Sequence, residues 1–600
     1  MPASGPYPID VEQDYEARLT RRQAQWAADD RRHAWFSYAR LAIAAGAVVV
    51  LIVGGLAAMA WLLVPLALFL LVAVAHVRVL NARDRSRSAV TFYERGLARI
   101  RFEWIGTGRS GDEYRRPDHL YAEDLDIFGR GSLFELLATT RTRAGEATLA
   151  DWLLSPAPHD VARARQVAVR ELAGRTDLRE MVAVLGDHVK VAVDAPLLRR
   201  WAAAPAALGH RAARFGVAVL VVVTVTTVFW WSQTGQLSAA AAALLIAQVL
   251  VGAALRPRVV SVIAAVDEPA HDLDVLSGLL RVLEGERFSS PHLQALQSSL
   301  SGSGSRPASS EIARLSRLVA LLASRQNVMF AVPAALLMWA TQWAFAIDAW
   351  KRRAGIHIPE WLDTVGEFEA LLALGGFAAE HPQHVFPNLV DGPPRLSAIG
   401  MAHVTLPDTA VANDALMGAA DPHLVVVSGS NMSGKSTWMR TIGVSVVLAR
   451  MGAPVRARAF ELSPLAVGAA IRVMDSLTDG RSRFYAEIVR LKQIVELARA
   501  ERGAVLFLLD EILSGTNSHD RRIGAEAIMV GLVEEGAIGF VTTHDLALAD
   551  IAAGLRAKAV NAHFDDTFAD GVLHFDYTLK PGVVETSNAL ALMRSIGIEV

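Results

Sequence analysis

A chain of 600 residues is more than one hydrophobic core usually serves, so several domains are expected and a small disulfide-stapled module is excluded. Apolar residues make up 52% and charged residues 20%, and a mean hydropathy of +0.30 points to part of the chain lying in lipid. Lys and Arg total 59 against 61 Asp and Glu, so bulk charge does not draw the chain to nucleic acid, and the lack of cysteine removes thiolate metal sites, cysteine nucleophiles and iron–sulfur clusters.

Residues 1–40 are polar and of mixed charge, and read as an amphipathic or loosely ordered cytoplasmic arm. Residues 41–77 then hold no Asp, Glu, Lys or Arg. That run is too long for one span of about 20 residues and right for two, which predicts a transmembrane hairpin over 41–79 turning at Gly54-Gly55, with Pro65 tolerated in lipid. Two further uncharged runs, 215–231 and 237–255, predict a second hairpin over 211–258. Arg31, Arg32, Arg40, Arg78, Arg83, Arg211, Arg214, Arg256 and Arg258 flank the outer ends of these runs, and neither connecting turn carries Lys or Arg. Positive charge stays inside, so the reading is a multi-pass protein of the cytoplasmic membrane with both termini and the large segments in the cytoplasm.

Between and after the hairpins, residues 80–210 and 259–390 show helical spacing, as in Leu133, Leu136 and Leu137 behind the cap Ser132, and predict an all-α core in two parts. Residues 301–307 read as a flexible connector, and the apolar run 328–347 as one buried helix outside the membrane. From about residue 391 short apolar runs alternate with longer helical ones, predicting an α/β domain with a parallel sheet over 391–600.

That last region carries the chemistry. Gly429, Ser430, Asn431, Met432, Ser433, Gly434, Lys435 and Ser436, followed by Thr437, fit GxxxxGK[ST] at every fixed position, between an apolar strand and a helical run. In such a loop backbone N–H groups cradle phosphate, Lys435 neutralises the β- and γ-phosphates of ATP, and Ser436 ligates Mg²⁺. A second apolar strand ends in Asp510-Glu511: Asp510 for the magnesium shell, Glu511 to polarise the attacking water. A third ends at Thr542-Thr543-His544, placing His544 at the same sheet edge as a γ-phosphate sensor.

Together these residues resemble the MutS family of mismatch-recognition ATPases. The Asn431-Met432 pair with Thr437-Trp438-Met439-Arg440 looks like that family's phosphate loop. Residues 475–484 with Glu487 are similar to its signature loop, and Leu509 to Asn517, Asp520 and Thr543-His544 follow in family order. Phe128-Gly129, Thr142, Gly145, Trp152 and Pro156, then Trp361, Glu367 and Glu369, resemble its helical core. The resemblance implies an ABC-type phosphate-loop ATPase domain behind a helical core, acting as a homodimer in which Ser482 reaches the partner's ATP and Asp520 lies on the same interface. It also implies DNA, mismatched or branched, as a partner. Nothing here resembles the family's mismatch-reading domain, the clamp is reduced, and Ala410 and Val411 stand where the family places an aromatic for adenine. The expected function is a membrane-anchored, Mg-dependent MutS-like ATPase that switches conformation. Two alternatives are an ATP-binding-cassette transporter, against which Leu513-Ser514-Gly515 lies on the wrong side of Asp510-Glu511, and a scaffold that binds nucleotide without hydrolysing it.

Overall fold

The computed structural model describes residues 10–186, 195–209, 211–235, 239–264, 270–301, 306–327, 330–430, 432–472, 483–544, 548–549, 554–555, 558–569 and 572–584. Asp10 caps α1 (Val11–Gly54) by accepting from the Glu12 N–H, and the helix runs without interruption from polar into apolar sequence. The arm expected over 1–40 is therefore not a separate or loose element from Val11 onward. No proline occurs between Val11 and Gly54, and the change from charged to apolar side chains at Leu41 alters the helix's solvent, not its backbone. The helix ends at the predicted glycine pair, with Gly55 in a positive-φ cap, and a short 3₁₀ stretch leads into α2 (Leu63–Ile100). Pro65 sits in the first turn of α2, where its missing N–H costs no helical bond.

The helical region continues with α3 (Leu133–Leu137), α4 (Arg143–Leu154), α5 (His159–Ala173), α6 (Thr176–Gly186) and α7 (Ala195–Ala203). The second apolar pair forms α8 (Arg211–Thr234) and α9 (Ala239–Ala264). Among the described residues four helices, in the regions predicted as spans, are long and apolar enough to cross a membrane. After them come α10 (Ala270–Gly285), α11 (Pro291–Ser301), α12 (Ala308–Ala323), α13 (Ala331–Leu336), α14 (Trp339–Ala354) and α15 (Ile358–Glu380). The single helix expected over 328–347 is instead broken: Met338 takes a left-handed conformation between α13 and α14, and α14 packs against α9. Val332 on α13 is 80% exposed, so this run is only partly buried. Most of the connector predicted over 301–307 lies outside the described residues.

Helix α15 organises the core. Most of its residues are buried, and it packs against α4 and α5 on one side and α6, α10 and α11 on others. A buried carboxylate ties it to α4: Glu369 accepts the N–H groups of Arg141 and Thr142 and the Thr142 hydroxyl, while Thr142 itself caps α4. Burial pushes the Glu369 carboxyl up, and these bonds oppose the shift.

Beyond α15 the chain builds two sheets. The first, which the sequence reading missed, has four strands in the order β1 (Asn388–Leu389), β5 (Ala459–Leu462), β2 (Arg395–Met401) and β3 (Asn413–Gly418). The second contains the three expected parallel strands β7 (Val505–Asp510), β8 (Ile538–Thr543) and β4 (Leu424–Ser428), flanked by the further parallel strands β6 (Ala466–Ala470) and β9 (Ala559–Ala569) and closed by the antiparallel β10 (Val572–Pro581). Helices α16 (Lys435–Met451), α17 (Arg483–Ala500) and α18 (Ser518–Glu534) complete this α/β part.

Candidate functional site

Every residue of β4 is buried, so the strand is a fixed base from which the chain turns into the glycine-rich loop. At Gly429, φ is 149° and a Cβ would lie 2.7 Å from the Phe564 carbonyl oxygen; at Gly434, φ is 102°, at the cap of α16. Glycine is needed at both, by close approach at the first and by left-handed backbone at the second. The Ser433 hydroxyl donates to the Ser430 carbonyl at 2.8 Å and closes the loop on itself. Lys435 is buried and donates to the carbonyls of Gly429 and Ser430, both at 2.8 Å. Burial pushes its ammonium pKa down, and the negative charges of Asp510 and Glu511 oppose this.

Strand β8 lies beside β4 and β7 beside β8, all in parallel register, which brings their carboxyl ends to the same edge as the loop. Asp510 accepts the Ser436 hydroxyl at 2.6 Å on one oxygen and the Thr542 hydroxyl on the other. Thr542 also fixes the next residue, since the Glu511 N–H donates to its hydroxyl oxygen at 3.2 Å. Glu511 and Leu513 both adopt positive φ, at 48° and 56°, backbone strain concentrated where the acidic pair meets the cavity. The Glu511 carboxylate is hydrogen-bonded to His544 Nε2 at 2.6 Å. Behind them Glu487, buried, accepts the Leu513 N–H.

These groups open onto a cavity of about 620 Å³ whose walls include Ala410, Val411, Met432, Phe564 and Tyr577. Tyr577 is carried by β10 in a left-handed conformation, with φ of 53°, and a Cβ on Gly434 would lie 3.2 Å from its ring. Asn413 holds this segment by donating to the Tyr577 carbonyl at 2.9 Å and accepting the Leu579 N–H at 2.7 Å. His403, also in the wall, has its imidazole pushed down to about 4 by burial and by Arg440 and Arg456, so it is neutral at pH 7.

The structure thus brings together Gly429, Ser430, Met432, Ser433, Gly434, Lys435, Ser436 and Thr437 with Asp510, Glu511 and His544. Asn431 and Ser482 lie outside the described residues. Asp520 is in the first turn of α18, bonded to the capping Asn517. Sequence reasoning missed Thr542 as a partner of Asp510, although a polar residue ending a buried strand was a usable signal. It also missed Tyr577, for which the local sequence offers none. The paired hydroxyl and carboxylate oxygens of Ser436 and Asp510 suit a hard cation that shares its remaining positions with water and phosphate.

Comparison with known proteins matches residues 425–599 to the family model described as MutS domain V. Over this stretch the chain is similar to the MutS family. The match opens inside β4 and takes in the glycine-rich loop, α16, the acidic pair and His544. The DNA mismatch repair protein MutS 2 of Haloarcula marismortui is 36% identical over 179 residues, 30% of this chain and 18% of that protein. MutS of Natronomonas pharaonis is 34% identical over 253 residues, covering 40% and 28%, and MutS of Sorangium cellulosum 29% over 326 residues, covering 53% and 32%. The chain therefore spans less than a third of the length of each of these MutS relatives.

Proposed function

We propose that this chain is a membrane-anchored MutS-like ATPase that binds ATP with Mg²⁺ and is completed by a second copy of itself. The observation that carries the reading is the bonded set Lys435, Ser436, Asp510, Thr542, Glu511 and His544, assembled from three neighbouring strands at one cavity. Phosphate oxygens of ATP would replace the carbonyls of Gly429 and Ser430 as acceptors for Lys435, and the loop's N–H groups at the start of α16 would hold the rest. Ser436 and Asp510 would hold the magnesium ion, which neutralises charge on the phosphates. Glu511 takes the proton of a water as its oxygen bonds to the γ-phosphorus and the bond to the β-phosphate oxygen breaks, giving ADP and inorganic phosphate. His544 orients that carboxylate and reports γ-phosphate loss. Tyr577 offers the aromatic face that Ala410 and Val411 lack, and Ser482 closes the site of the twin.

The anchor is read from α1, α2, α8 and α9, whose apolar runs are largely exposed on the protein's surface, as lipid-facing helices must be. By this reading the domains are a hairpin at 41–79, with α1 extending back through the former arm, a second hairpin at 211–258, helical core at 80–210 and 259–390, and ATPase at 391–600. DNA as the ligand of the helical region rests on the relatives, whose names describe mismatch repair. ATP turnover by the full chain in detergent, measured with and without homoduplex, mismatched and branched DNA, tests both parts. Turnover stimulated by DNA and lost with added salt supports the reading. Absence of turnover removes the ATPase, and turnover indifferent to every DNA removes the nucleic-acid partner.

A further inference from the structure

Residues 326–347 hold no Asp, Glu, Lys or Arg, and the chain divides most of this run between α13 and α14. Helix α14 is mostly buried and packs against α12, α8 and α9, the last two being candidate spans. Helix α13 is not covered. Ala331, Val332, Pro333 and Ala335 are exposed, Val332 by 80%, and all four side chains are apolar.

Two contacts fix its level against α9. Gln248, 6% exposed, donates a side-chain N–H to the carbonyl of Leu336, the last residue of α13, at 2.5 Å. Met338 lies beside Gly252, where a Cβ would stand 3.7 Å from its Cε. Gln248 and Gly252 fall in the charge-free run 237–255, eight and four residues before Arg256, or about 12 and 6 Å along the helix. At that level of α9, Ile246, Val249 and Leu250 are 61%, 70% and 64% exposed. Whatever solvent meets these side chains also meets Val332.

Gln248 indicates which solvent that is. Water satisfies a carbonyl at a helix end unaided, whereas in hydrocarbon the group needs a protein donor, and a buried amide within an apolar run supplies one. Trp339, the residue after Met338, packs edge to face on Phe330 and Trp343 at 5.0 and 5.3 Å and donates its indole N–H to the Leu321 carbonyl at 2.6 Å. Rings with one polar end suit the boundary between headgroups and acyl chains.

We propose that α13 is a wedge seated in the cytoplasmic leaflet beside α9, its Val332 face against lipid acyl chains and its neighbouring aromatic cluster at headgroup level. The proposal rests on the membrane-anchored reading of α8 and α9 and adds a fifth membrane element to it, in a run whose sequence suggests a place outside the bilayer. Six residues of helix, about 9 Å, are too short to cross, so the wedge enters and leaves on one side.

The lack of cysteine makes the test direct. The full chain with Val332→Cys is labelled with a nitroxide and reconstituted into vesicles of phosphatidylcholine and phosphatidylglycerol. Power saturation then reads its accessibility to oxygen and to a water-soluble nickel chelate. Val249→Cys on α9 is the lipid reference and Lys492→Cys, exposed on α17, the aqueous one. The Val332 label is expected to match Val249, with an oxygen-to-nickel ratio several-fold above that of Lys492; Ala335→Cys repeats the measurement if Val332→Cys does not fold. An aqueous ratio at Val332 with a lipid ratio at Val249 would overturn the wedge and leave the anchor standing. A Val332 label shielded from both reagents, as beneath a second copy of the chain, would also overturn it. Aqueous ratios at both positions would remove the anchor as well.

Discussion

At the glycine-rich loop, the cation and its acceptors come from one short stretch of chain: Lys435 donates to carbonyls five and six residues before it. In the helical core, Arg99 reaches Glu380 across 281 positions of sequence, joining α2 to the end of α15. The first site is prepared by local backbone geometry and can be read as a word. The second exists only after α2 and α15 have packed. Contiguity in sequence makes a site recognisable; a buried pair made by packing is discoverable only in three dimensions.

Substitutions separate the two. The largest effect is expected for Lys435→Ala, which should abolish ATP binding in a fluorescent-nucleotide titration; retained binding would remove Lys435 from the phosphate site. Glu511→Gln should keep ATP binding and lower turnover about 10²-fold or more. Normal turnover in that variant would remove Glu511 from its role. Arg99→Ala strands Glu380, whose side chain is 2% exposed, and should cost about 3–5 kcal/mol, seen as a lowered melting temperature, whereas replacing both by Met should restore most of it.

The smallest effect is acid sensitivity. His384, between the helical core and the sheets, has its pKa pushed down to about 2 by burial, His381 and Arg456. Folded, it stays neutral; unfolded, it takes a proton near pH 6.5, so stability falls as pH drops below that value. From pH 6.5 to 5.5 the loss is about 1 kcal/mol for this one group, and His384→Gln should flatten the decline in melting temperature by that amount.

The loop, the acidic pair and His544 were legible because strand, turn and helix are adjacent in sequence and each polar residue has one chemical use. The continuous α1 was not, because hydropathy changes at Leu41 while helix propensity does not. The four-stranded sheet was missed for a different reason: β1 has two residues and β5 four, too short for alternation to register, and their pairing joins segments some 70 residues apart. Tyr577 reaches Gly434 only because β10 folds back on β9 with a register shift between Phe575 and Leu579. The break at Met338 carries no glycine or proline of its own to announce it.

Helix α2 is one unbroken rod of 38 residues, about 57 Å long, whose first half is apolar and whose last turn is clamped by Arg99 to Glu380, the final residue of α15. A rod of that stiffness does not absorb a change of tilt along its length. Were the hairpin seated in a bilayer as proposed, shorter or longer acyl chains would make it lean to match them, and the lean would arrive at the joint where the chain leaves α15 for the sheets. On the proposed membrane-anchored reading, bilayer thickness would be a mechanical input to the α/β half, and vesicles of graded acyl length are the instrument for reading it.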